Sequence, residues 1–174
     1  LSCCTDELMV TRCPSAALTL PGGIPYKDED GSWLDPYNSM TADYLTELCT
    51  ELADMGFDEL LLKNLAMPQT DATLAYTVQL SSVPNPVSAV CSLAIDLISQ
   101  LESRDVLVSA ILDTTSLRSG LSAQSGQDLS VFAKLFDRLC CSADTVWRAT
   151  VDRDSVDYWM YEGDLSLRFV PIFP

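Results

Sequence analysis

Polar residues of the kind that move protons stand in this chain where buried apolar runs give way to loops. Asp6 follows the run at residues 1–4, Lys63 and Asn64 end Leu60-Leu61-Leu62, Asp113 ends residues 106–112, and Asp144 follows Cys140-Cys141. Two carboxylates at such an edge, here Asp6 and Asp113, can serve as acid and base on a glycosidic bond, their separation selecting retention or inversion. Each aspartate also has a plainer use as the cap of a helix or turn. Lys63 is more demanding, because an ammonium at the end of a buried strand needs a carboxylate, and Asp6 or Asp113 is the expected partner. Trp33, Trp147 and Trp159 offer faces on which a sugar ring stacks, although core packing is the commoner fate of an aromatic.

The chain contains no histidine. That removes Ser-His-Asp and Cys-His triads, histidine-ligated zinc and an imidazole base. Gly22-Gly23 lacks the third glycine and the preceding strand of a dinucleotide fingerprint, and no phosphate loop is present. Asp28, Asp30 and Gly31 mimic part of a calcium loop, but its first and twelfth ligand positions would be Tyr26 and Tyr37. Residues 28–31 are therefore expected to be a solvated loop. No cofactor and no metal ligand set is expected.

Strands and helices in alternation must position these residues. Residues 41–55 place Tyr44, Leu45, Leu48, Cys49, Leu52 and Ala53 on one helical face, and Gly56 closes that helix. A strand over residues 59–63 follows, with Asp58 and Glu59 at its entry end, in structural rather than site positions. Asn85 caps, and Pro86 opens, a helix over residues 86–102. Residues 106–112 are almost wholly apolar, as in a parallel strand covered on both faces. A third helix over residues 129–136 leads to a strand at 138–141, and residues 146–151 and 167–172 are further strand candidates. Residues 13–38, rich in proline and glycine, are expected to be a long ordered loop. The fold class is α/β, with parallel βα units whose strand carboxyl ends face one way.

At 174 residues, with 48% hydrophobic and 20% charged content, the chain suits one folded domain. Ten basic against twenty-five acidic residues give a net charge of −15. Nucleic acid and anionic lipid are repelled, and neutral or cationic partners favoured. No apolar run is long enough to span a membrane and no charged-then-apolar leader is present. The seven cysteines include no C-x-x-C pair and are expected to be buried thiols, a disulfide between the two Cys-Cys dipeptides staying open.

Taken in order, residues 1–7, Trp33-Leu34-Asp35-Pro36-Tyr37-Asn38, Gly56-Phe57-Asp58-Glu59-Leu60 through Pro68, and Gly126-Gln127-Asp128-Leu129 resemble a bacterial family of glycoside hydrolases of TIM-barrel type, long described as a domain of unknown function. The resemblance covers most of the chain. It implies part of a (β/α)8 barrel, from near the third strand to near the seventh, in one domain over residues 1–174. It implies carbohydrate, a polysaccharide or glycan, as partner, and an extracellular or cell-envelope setting, whereas seven unpaired thiols suit a reducing one. Family members usually carry an aspartate and a tyrosine where this chain has Lys63 and Asn64, and an arginine and an aromatic at Ala66 and Met67. A second family aspartate falls at Ile111, with Asp113 two residues on. The resemblance thus implies a carbohydrate-acting or carbohydrate-binding domain whose catalysis is degenerate. The rival readings are a non-catalytic carbohydrate-binding module and a structural or assembly module of the cell envelope. An unclosed barrel also leaves strand edges that a homo-oligomer would cover.

Overall fold

Two capped helices and the strands beside them set the architecture. The computed structural model describes residues 1–76, 85–142 and 169–172. After a first stretch at residues 1–5 come α1 (Glu7–Arg12), a 3-10 turn (Pro14–Ala16), and the short strands β1 (Thr19–Leu20), β2 (Ile24–Pro25), β3 (Lys27–Asp28) and β4 (Gly31–Ser32). Then follow α2 (Ser39–Asp54), β5 (Glu59–Leu62), α3 (Pro86–Leu101), β6 (Leu107–Ile111), α4 (Thr114–Ser119), α5 (Leu129–Leu135), β7 (Arg138–Ser142) and β8 (Phe169–Ile172).

The sheet is parallel in the order β5-β6-β7-β8. Ser2 extends it, pairing in parallel with Lys63, and Cys3 N–H donates to Lys63 O at 2.8 Å. The stretches around Leu1, Leu61, Val108 and Leu139 therefore lie side by side in chain order, as the alternation of strand and helix periods requires. Leu60, Leu62, Val108, Ala110, Leu139 and Cys141 enter one core with Leu45 and Cys49 of α2, Val90, Ala94 and Leu97 of α3, and Phe132 of α5. The opposite face carries Glu59, Leu61, Ser109, Ile111, Arg138 and Cys140, where the period of two places them.

Helix ends follow local chemistry. Asn38 caps α2 by accepting from Met40 N–H at 3.0 Å, so the helix starts two residues before the apolar periodicity does. Asn85 accepts from Ser88 N–H at 3.3 Å to cap α3, with Pro86 in its first turn. Gly56, at φ +88°, ends α2 in the left-handed conformation that suits glycine.

Residues 13–38 differ from the expected loop. They form two antiparallel hairpins, β1 with β2 and β3 with β4, each strand only two residues long. Strands that short show no alternation, which is why the pattern is invisible in sequence. They dock on the exit of the first stretch, with Leu34 N–H donating to Cys4 O at 2.9 Å and Asp6 N–H to Ser32 O at 2.9 Å. The short helices α1 and α4 also lack a periodic stripe. All seven cysteines are free thiols, six buried and Cys13 half-buried. The strand candidate at 146–151, Asp144, Trp147 and Trp159 lie outside the described residues. Among the described residues no helix is long and apolar enough to cross a membrane.

Candidate functional site

The carboxyl edge of the sheet opens into a cavity of about 670 Å³. Three segments wall it. The β3–β4 hairpin contributes Asp28 at the end of β3 and Glu29 and Asp30 in the turn, with Tyr26 and Trp33 on either side of it. The segment leaving β5 contributes Asn64, Ala66 and Met67, and the segment leaving β6 contributes Ile111, Leu112, Asp113 and Thr114, with Ser125 beside it. The last two segments lie at exits of parallel strands, where topology brings them to one edge, and the hairpin is carried there by the connection that leaves the first stretch.

Lys63 pairs with Asp30, Nζ to Oδ1 at 2.8 Å, and not with Asp6 or Asp113. The correction has a simple cause. The hairpin folds back over the exit of β5 and supplies a nearer carboxylate than either expected partner. The Lys63 ammonium, with help from the Asn64 side chain, holds the Asp30 carboxyl below the usual carboxylate range. Lys63 and Asp30 side chains are 54% and 38% exposed, so solvent screens the pair. Asn64, at φ +54°, takes a left-handed conformation that asparagine tolerates, and its amide donates to Thr5 Oγ1 at 3.0 Å.

Asp113 lies in the cavity wall, where it is also the N-cap of α4. Its Oδ1 accepts from Ser116 N–H at 2.7 Å, and its Oδ2 accepts from the Ser116 hydroxyl at 2.9 Å and from the Ser125 hydroxyl. Asp6 is not in the wall. Its Oδ1 accepts from Met9 N–H at 2.8 Å as the cap of α1, and its Oδ2 accepts from the Tyr44 hydroxyl at 2.6 Å. Burial, with that acceptor beside it, pushes the Tyr44 phenol up to about 12. The structure thus brings Asn64, Trp33 and Asp113 to one cavity with Lys63 at its rim, and leaves the expected acid/base partner Asp6 engaged elsewhere. Trp33 is only 4% exposed and belongs to the core, so it is a wall residue rather than an open stacking platform.

Gln127, buried behind Asp113 and Ile111, ties the wall together. Its Nε2 donates to Ile111 O at 3.1 Å and Leu65 O at 3.4 Å, while its Oε1 accepts from Asp113 N–H at 2.8 Å and the Ser116 hydroxyl at 3.2 Å. One amide thereby spans the exits of β5 and β6. Below, at the strand entries, the Ser109 hydroxyl and Arg138 both donate to Glu59, which ties three strands together far from the cavity. That is the structural position expected for Glu59.

The hairpin carboxylates and Gln127 escaped the sequence reading. A signal for the former was present: residues 5–38 connect a strand to a helix, and any such connection in a parallel sheet must lie at the carboxyl edge. Gln127 offered none, because a buried amide cannot be told from an exposed one by spacing. Among the described residues no group of three or more cysteine, aspartate and glutamate side chains is placed to hold a metal ion.

Residues 1–143 match the family described as "Putative glycosyl hydrolase domain". The chain belongs to this family. Solved structures share the fold of this glycosyl hydrolase domain. The glycoside hydrolase domain of PgaB (BpsB) from Bordetella bronchiseptica superposes with a TM-score of 0.58 at 16% identity, over 89% of this chain and 52% of that one. The Ostrinia furnacalis Group IV chitinase in complex with allosamidin gives 0.53 at 12% identity, over 78% and 40%. A hypothetical protein from Ruminiclostridium thermocellum ATCC 27405 gives 0.53 at 24% identity, over 63% and 55%. The chain spans about half the length of these structures. At such identities they establish the fold, the parallel βα units of a glycoside hydrolase barrel, and nothing finer. Comparison with curated proteins finds no match to the sequence.

Proposed function

We propose that this domain binds carbohydrate in the carboxyl-edge cavity and no longer hydrolyses it. The observation that carries the reading is the Lys63–Asp30 ion pair at the exit of β5. By the family resemblance an aspartate belongs at that position, and here an ammonium occupies it and is tied to a hairpin carboxylate. A lysine cannot deliver the proton that a carboxylic acid delivers without a very large change of environment. Asp113, the acid that remains at the exit of β6, is committed to capping α4 and to two serine hydroxyls. Membership of a glycosyl hydrolase family, and the fold shared with a chitinase and a bacterial glycoside hydrolase domain, support a glycan as ligand. Glycan binding needs only the concave, polar, aromatic-edged wall that persists.

Loss of the two aspartates that the family resemblance places at Lys63 and Ile111 would remove general acid and base help worth roughly 10²- to 10⁴-fold each. The test is calorimetric titration with soluble oligosaccharides, run beside hydrolysis of aryl glycosides and cell-wall polysaccharides. Binding without turnover is expected. A second reading, hydrolysis by Asp113 with a hairpin carboxylate, is favoured by their shared cavity. Turnover that vanishes in Asp113→Asn or Asp28→Asn would establish that reading and overturn the first.

A further inference from the structure

The Lys63–Asp30 pair sets a nucleophile beside a base at the mouth of the cavity. Lys63 Nζ stands 2.8 Å from Asp30 Oδ1, and Asp30 is part of the cavity wall. The lysine side chain is 54% exposed, so its amine is open to a molecule arriving from solvent. Both partners are carried by fixed backbone. Lys63 N–H donates to Leu1 O at 2.8 Å and Lys63 O accepts from Cys3 N–H at 2.8 Å, which locks the exit of β5 to the first stretch. Asp30 N–H donates to Asp28 Oδ1 at 2.9 Å in the hairpin turn, and the Asn64 side chain steadies the Asp30 carboxylate. A primary amine beside a carboxylate is what carbonyl chemistry requires: the amine adds to an aldehyde and the carboxylate moves the proton that follows. The molecule carries its own comparison. Lys27 pairs with Glu7 at the same 2.8 Å and is exposed to the same 54%, yet neither Lys27 nor Glu7 lines the cavity.

We infer that the Lys63–Asp30 pair captures reducing sugars covalently, Lys63 forming an imine with the aldehyde of a ring-opened aldose at the cavity wall and Asp30 carrying that imine on to a stable ketoamine. The inference rests on the carbohydrate-binding reading above for the class of molecule that reaches the wall, and adds a covalent step to it. The Nζ lone pair adds to the aldehyde carbon, and loss of one water leaves a protonated imine. Asp30 then takes the proton from the neighbouring C2, the C2 electron pair closes a C1=C2 bond, and the imine π pair returns to nitrogen. The enaminol that results tautomerises to a 1-amino-2-ketose. C1 is reduced and C2 oxidised within the sugar, so the sequence consumes no outside oxidant or reductant. The product is a secondary amine that still takes a proton, so its ion pair with Asp30 re-forms and the latch between hairpin and β5 survives the modification.

The test is incubation of the native chain with D-ribose at about pH 8, where a small fraction of lysine is free amine. Peptides are mapped by mass spectrometry with and without cyanoborohydride, which traps the imine before it rearranges. Without reductant, at least about tenfold more ketoamine is expected on Lys63 than on Lys27, a modest part of what a held sugar and a placed base contribute. Asp30→Asn should bring the Lys63 ketoamine down to the Lys27 level while imine trapping at Lys63 persists, and Asp30→Glu, which restores a carboxylate, should recover ketoamine. Equal labelling of Lys63 and Lys27 overturns the inference, as does a ketoamine yield that survives Asp30→Asn. Calorimetry with oligosaccharide alditols, which have no aldehyde, separates this outcome from the fate of the binding reading. Alditol binding without preference for Lys63 overturns the capture alone, whereas selective ketoamine on Lys63 without alditol binding upholds the capture and overturns the binding reading.

Discussion

Lys63 shows how one side chain can hold a wall in place while adding little to global stability. Both members of its pair with Asp30 are exposed by more than a third, so the interaction contributes under about 1 kcal/mol. Asp30 has a depressed carboxyl, so this contribution is fully present above the ordinary aspartate value of about 3.9 and is lost as pH falls through the lower folded value. Lys63→Met should raise the Asp30 titration midpoint towards the ordinary value, read by NMR of its side-chain carbon, with unfolding midpoints near neutral pH almost unchanged. An unmoved midpoint would mean that another group depresses Asp30. The cysteines behave in the opposite way. Burial pushes Cys4 and Cys141 up to about 12 and Cys49 to about 11, so none is a thiolate at neutral pH. Ellman's reagent should therefore label Cys13 alone in the native protein and all seven thiols in denaturant. Rapid native labelling of more than one would contradict the burial described.

Gly126 is the residue on which two elements close. At φ +83°, with a side-chain carbon at that position clashing against the backbone of Pro86 and against Val90, it lets the segment before α5 press on the first turn of α3. Gly126→Ala should cost at least about 2 kcal/mol, combining left-handed strain with displacement of α3, as measured by urea denaturation. At this scale the legibility of the sequence follows periodicity. The helices α2 and α3 were readable because sixteen residues repeat an apolar stripe between recognisable caps. The strands β5, β6 and β7 were readable as apolar runs. By contrast α4 spans six residues, mostly polar, and is a helix because Asp113 caps its start and Gly120, at φ +77°, takes the left-handed turn at its end. Such an element is specified by its two ends and leaves no periodic trace. The site was half legible for the same reason. Asp113 and Asn64 sit at strand exits, which periodicity finds, whereas Asp28, Glu29 and Asp30 reach the cavity through hairpins set by tertiary contact. Asp6 and Asp113 are equivalent in sequence, each a helix cap at the end of an apolar run, and tertiary packing distinguishes them: Asp6 is turned to Tyr44, whereas Asp113 lines the cavity.

Across the whole molecule, fifteen uncompensated negative charges oppose compaction at low ionic strength. Raising NaCl from about 10 mM to about 150 mM should lift the thermal midpoint by roughly 2–4 °C, the shift that about 1 kcal/mol produces in a chain of this size. A falling midpoint would show that ion pairs outweigh the repulsion. The cavity itself is built asymmetrically. Behind one side lies the Gln127 amide, which joins the exits of two strands to the start of a helix; the other side is a hairpin docked at its base by backbone hydrogen bonds to the first stretch and held at its tip by one solvent-screened pair. Changes at Gln127 are therefore inseparable from folding, while the exposed tip of the hairpin can vary in charge at little cost to the scaffold. The charge of the cavity wall is free to drift on one side alone, which makes residues 28–30 the place where a library could remake that wall without rebuilding the sheet.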